Sequence, residues 1–287
     1  MISLDFLSDF IKRILTPEWG KAEIAKPFAD RHPVMQWYDS VCRLQAKQMA
    51  RSSGGMSRLE PNGATRAYFT LAHDLHTLTS ACGPQDRLIE RLKHRDQFQG
   101  ARHELFAIAT VVRAGYHIQF ENETDRSVKH AEFVATHRET RQQINVEAKS
   151  KHRAGVLGYA GERVPDEQLD LVPNRLVNKA IKKPITNPFV IFIDLNLPPL
   201  PHDPLSADWL ERVAAPLVRD RDRKGEPDPW NLLLLSNFPD HYADDDASHP
   251  RGYVNGVFGK NPVHAVAHPE AFTAIVDAAL QYGSLPQ

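Results

Sequence analysis

The chain has 287 residues, 41% of them hydrophobic and 25% charged, which is the composition of a folded globular protein and excludes disorder over most of its length. Its 35 Lys and Arg against 36 Asp and Glu leave a formal net charge of -1, so any nucleic-acid surface must be local. Cys42 and Cys82 lack metal-type spacing, and a reduced cytoplasmic interior is the simpler reading, although one disulfide stays open.

No stretch reaches the 18 or so apolar residues of a membrane helix. Near the N-terminus, Leu7, Phe10, Ile11, Ile14 and Leu15 recur at helical spacing among Asp5, Asp9, Lys12 and Arg13. That pattern is an amphipathic helix, packed on the protein itself or on a partner, rather than a signal peptide. Residues 1–96 read as a helical region, with a homodimer or protein partner as the interaction it could serve. The Ser, Gly, Pro and Asn content of residues 51–64 marks a loop.

From residue 97 the pattern changes, and residues 97–287 read as a second unit. A helix over 97–114 is stopped by Gly115, with Gly100 an oddity in its first turns. Strands are expected at 116–120, 130–136 and 142–149. A helix over 166–182, interrupted early by Pro173, and a buried strand at 189–195 follow. Further along, the sequence predicts a helix at 207–218, a strand at 230–236, strand-like pieces within 252–267 and a helix at 269–282. The fold class is therefore α/β (α+β), a mixed central sheet flanked by helices and preceded by a helical region.

The triplet Glu147-Ala148-Lys149 ends the third strand. An acid two residues before a lysine is common by chance, and a second case, Asp222-Arg223-Lys224, lies in a polar loop. Context gives the first its meaning. Alternation sends Ile144, Val146 and Ala148 to one face and Asn145, Glu147 and Lys149 to the other. A hairpin centred between Glu139 and Thr140 would set Glu132 opposite Glu147. Two like charges there are unfavourable unless a hard divalent cation offsets them. Glu104, at the margin of the apolar stripe Leu105, Ile108 and Val112, is a third carboxylate in need of a partner: the metal, Lys149 or an arginine.

Helix with Glu104, strand, strand with Glu132, strand with Glu147-Ala148-Lys149, helix, strand: this order over residues 97–197 resembles the core of the PD-(D/E)XK nuclease superfamily. The family's usual Pro-Asp is Ala131-Glu132 here. The resemblance implies a restriction-endonuclease-like core and a Mg²⁺- or Mn²⁺-dependent hydrolase, a DNA endonuclease of the kind found in restriction and phage defence. It implies Glu132, Glu147, the Ala148 carbonyl and Glu104 as metal ligands, and Lys149 as the group that orients or deprotonates the attacking water. The alternative is a catalytically degenerate nucleic-acid-binding or scaffold protein whose acids form salt bridges.

Residues 141–183 hold nine basic and five acidic side chains. Arg175, Lys179, Lys182 and Lys183 recur at spacings of three and four, a stripe that could follow a phosphate backbone or simply face water. Lys151 and Arg153 open a loop punctuated by Gly155, Gly158 and Gly161, which reads as a phosphate contact or, slightly better, as a surface turn. His241, Asp244, Asp245, Asp246 and His249 read as a solvated acidic loop, and His264 and His268 take no role.

Overall fold

The computed structural model describes residues 2–51, 61–120, 131–171, 173–199, 225–242 and 252–282. The helical region contributes α1 (Leu4–Ile14), α2 (Pro17–Ile24), α3 (Pro33–Arg51), α4 (Gly63–Cys82) and α5 (Asp86–Lys93). Their starts follow local chemistry. Ser3 accepts from the Phe6 amide at 3.1 Å, Asn62 accepts from the Thr65 amide at 2.9 Å, and Pro17 occupies the first turn of α2. α6 (Arg95–Arg113) ends at Gly115, whose φ of +90° suits a residue without a side chain. Gly100 is explained by a neighbour: a Cβ there would lie 3.0 Å from His152 Nε2.

Six strands form one sheet in the order β1-β2-β3-β4-β5-β6: β1 (Tyr116–Phe120), β2 (Phe133–His137), β3 (Gln143–Ser150), β4 (Phe189–Asp194), β5 (Leu232–Asn237) and β6 (Tyr253–Phe258). β1, β2 and β3 form an antiparallel meander, β3, β4 and β5 run parallel, and β6 returns antiparallel beside β5. Phe133 faces Val146 and Thr136 faces Gln143, the register expected of a hairpin centred between Glu139 and Thr140. α7 (Asn174–Ala180) lies between β3 and β4, and α8 (Pro269–Leu280) follows β6.

The two faces of the sheet carry two cores. Ile144, Val146, Val190, Phe192, Leu232 and Leu234 join α6, α8 and the N-terminal helices in one cluster. Phe189, Ile191, Ile193, Leu233 and Leu235 join Val177 and Ala180 of α7 and Trp230 in the other. β4 and β5 are buried on both faces, as the central strands of a covered sheet must be. Leu7, Trp37, Tyr68 and Leu75 belong to the same cluster as Val146 and Phe192, so the regions on either side of residue 96 share one core.

Two expectations change, and the cysteines keep the reduced state of the simpler reading. The helix over 166–182 shortens to a 3₁₀ turn (Asp166–Gln168) and α7, because Pro173, lacking an N–H, sits immediately before the helix rather than within it. Within 252–267 only β6 is a strand. Cys42 and Cys82 are both free thiols. The helix expected at 207–218 lies outside the described residues, as do the 121–129 stretch and most of the acidic loop after Tyr242. No helix among the described residues is long and apolar enough to cross a membrane.

Candidate active site

Glu132 stands just before β2, beside Glu147 of β3. The Glu132 amide donates both to the Val146 carbonyl and to Glu147 Oε2, each at 3.1 Å. The Lys149 ammonium closes the group: its Nζ lies 2.9 Å from Glu132 Oε1 and 2.5 Å from Glu147 Oε1. Lys183, turned back from the segment after α7, brings a second ammonium to 3.5 Å from the same Oε1. The Glu147 side chain is fully buried, whereas Glu132 and Lys149 are about a quarter exposed, so the site opens to solvent on the Glu132 side.

Burial is the main force on Glu147 and pushes its carboxyl pKa up. Glu132 adds to the rise, and Lys149 and Lys183 oppose it. For Lys149 burial works the other way, toward loss of the proton, but the two carboxylates outweigh it and its pKa is raised. Glu147 Oε1 touches both ammoniums, yet neither approaches in a hydrogen-bonding direction, so this buried oxygen has no directed partner.

The remaining sequence candidates are dispersed. Glu104 belongs to α6, which packs on the opposite face of the sheet, and its carboxylate takes the Arg91 guanidinium at 2.7 Å. Of the three partners open to it, the structure supplies the arginine. Ala148 points its methyl into the α6-side core, leaving only its carbonyl for a ligand role. Among the described residues no three His, Cys, Asp or Glu side chains gather closely enough to hold a metal ion, so Glu104 does not join Glu132 and Glu147.

Lys151 pairs with the Asp170 carboxylate. Arg153 corrects the expectation of a surface phosphate contact. It is buried, and its guanidinium donates to the carbonyls of Leu195 at 2.9 Å, Asn196 at 2.6 Å and Asp170 at 3.3 Å. A desolvated arginine needs its donors filled, and this one fills them by pinning the loop after β3 to the end of β4. Arg175, Lys179 and Lys182 are exposed. Lys183 departs from the stripe, since the chain leaves the helix at Ala180 and folds it toward Glu147.

A second polar cluster was not anticipated. Asp194, ending the apolar run of β4, is 1% exposed and accepts from Arg102 at 3.2 Å, Ser150 Oγ at 3.0 Å and the Asn196 amide at 2.9 Å. Asn196 continues to Gln99 at 3.0 Å and to His241 at 3.1 Å. Nearby, burial lowers the His103 pKa to about 4, with Asp194 opposing. The available signal was a carboxylate closing an otherwise apolar strand. Ser150 and Asp194 are register partners on the α6 side of the sheet, opposite to Glu147 and Lys149.

No family model, curated protein or solved structure matches the chain.

Proposed function

We propose that this protein is a metal-dependent nuclease that hydrolyses phosphodiester bonds, with DNA as its substrate, on a PD-(D/E)XK-like core. The observation that carries the reading is the meeting of Glu132 and Glu147 on one ammonium, Lys149, at 2.9 and 2.5 Å. The order α6, β1, β2, β3, α7, β4 is the order that the resemblance implies and supports it.

The donor set fits a hard divalent cation. Two carboxylates face each other, and Glu147 Oε1 is a buried oxygen without a directed hydrogen bond. Glu132 and Glu147 would hold the ion, with the Ala148 carbonyl as a further donor. The bound cation would lower the pKa of a coordinated water and neutralise charge on the phosphate. Lys149, whose ammonium reaches both carboxylates, would orient or deprotonate that water and offset developing negative charge. Lys183 holds charge balance at Glu147 from the α7 side. Glu104 acts through Arg91, as a tie between α5 and α6.

The same contacts favour a second reading, in which Lys149 is an ionic clasp between β2 and β3 of a catalytically degenerate core that binds nucleic acid or serves as a scaffold. Incubation of plasmid, linear and single-stranded DNA with Mg²⁺, and with chelator as control, separates the two. Chelator-sensitive cleavage supports the nuclease; retention of DNA without cleavage under any condition supports the clasp.

A further inference from the structure

Three segments line an open cavity of about 800 Å³. The stretch ending in Trp37 forms one wall, the start of α6 with Arg95 a second, and the loop 155–163 together with the turn Pro239–Tyr242 the third. We propose that this cavity is a binding site for a phosphorylated nucleoside, a mono- or dinucleotide, distinct from the carboxylate pair.

Its size is that of a small-molecule site rather than of a packing defect. Two guanidiniums, Arg95 and Arg163, line it against one carboxylate, Asp96. Arg163 stands over the Tyr242 ring at 5.0 Å, which fixes the plane of its fork. Its ion pair with Asp166, at 3.0 Å, is half exposed at both partners, and such a pair yields easily to a phosphate. Tyr159 supplies a half-buried aromatic ring on which a base can stack.

The loop is built to hold its shape. Gln99 donates to the carbonyls of Arg153 at 2.9 Å and Val156 at 2.6 Å, and Gly155, Gly158 and Gly161 all have positive φ. A Cβ on Gly158 would lie 2.8 Å from Arg95 Nε, so only glycine brings the loop backbone down onto that arginine. The cavity is therefore pre-formed, with two arginines and Tyr159 among its lining.

The test is calorimetric titration with ADP, with adenosine and inorganic phosphate as the two halves of the ligand. EDTA is present throughout, so that the result does not depend on the nuclease reading. ADP should bind saturably and at least about tenfold more tightly than either half. Arg163→Gln should weaken ADP by about tenfold or more. Tyr159→Leu, which keeps an apolar side chain against His152, should weaken ADP and leave inorganic phosphate unchanged. Both variants should melt close to the wild type, Arg163 being half exposed. Absence of ADP binding would overturn the proposal, as would wild-type affinity in a folded Arg163→Gln protein. Single-stranded oligonucleotides that displace ADP with an affinity rising steadily with their length would also overturn it, by making the cavity part of a nucleic-acid track.

Discussion

Replacing Lys149 by Met removes an ammonium and keeps the length of the side chain. The structure sets the size of the effect. Glu147 is fully buried and loses a contact of 2.5 Å, Glu132 loses one of 2.9 Å, and only Lys183 remains, at 3.5 Å. Breaking a buried pair on one side costs about 3–5 kcal/mol, and the surviving lysine and the partial exposure of Lys149 place this case near about 3 kcal/mol. Protonation of Glu147 limits the loss, which makes it depend on pH. Its folded pKa is raised above the unfolded value, so the folded chain binds the proton more tightly. The associated stability is present at low pH and is lost as pH climbs through the folded value. Without Lys149 that value rises further and the loss extends higher. Urea denaturation, followed by tryptophan fluorescence, should show a gap from the wild type of about 3 kcal/mol at pH 8 that is smaller at pH 5. An unchanged urea midpoint at pH 8, or an equal gap at both values, would refute the electrostatic account of the triad.

Arg153→Ala should lower stability by about 3 kcal/mol in the same assay, since three backbone carbonyls lose a charged donor, while the salt dependence of DNA binding stays that of the wild type. Gly155→Ala puts a Cβ 2.5 Å from the Arg163 amide nitrogen at a φ of +69°, and should cost about 2 kcal/mol or more, read as a lowered melting temperature. Asp74 is buried against Arg113 at 2.8 Å, and burial pushes its pKa up to about 6. Its contribution to stability is thus lost as pH rises toward about 6, and in Asp74→Asn the fall in melting temperature between pH 4.5 and pH 7 should be smaller than in the wild type.

How much of this was legible in the sequence depended on how far apart the partners lie. Strand alternation and the short turn after His137 were enough for the β2–β3 register, and with it for the opposition of Glu132 and Glu147, because a one-residue slip would have turned Val146 out of the core. Gly115 marked the end of α6 for an equally local reason, its positive φ. Lys183 was hidden in an apparent helical stripe, since whether a helix ends at Ala180 or runs past it decides between solvent and Glu147. Arg153 looked like a surface cation because its acceptors, Leu195 and Asn196, lie more than 40 residues further on. Gln99 and Asn196, which join at 97 residues of separation, left no periodic trace at all. The core that Leu75 shares with Phe192 likewise joins side chains too far apart in the chain for any local pattern to show it.

A nuclease of this kind requires Glu132 and Glu147 to hold a divalent cation. Titration of Mn²⁺ into the wild type and Glu147→Gln, followed by the electron paramagnetic resonance signal of the free ion, addresses it without needing to know the substrate. The wild type should take up the ion stoichiometrically, and Glu147→Gln, with its shape kept and its charge gone, should bind it at least about tenfold more weakly at a temperature where both proteins are folded, although it melts lower because Lys149 and Lys183 lose their buried carboxylate. Equal Mn²⁺ binding by the two proteins, or none by the wild type, would contradict the claim.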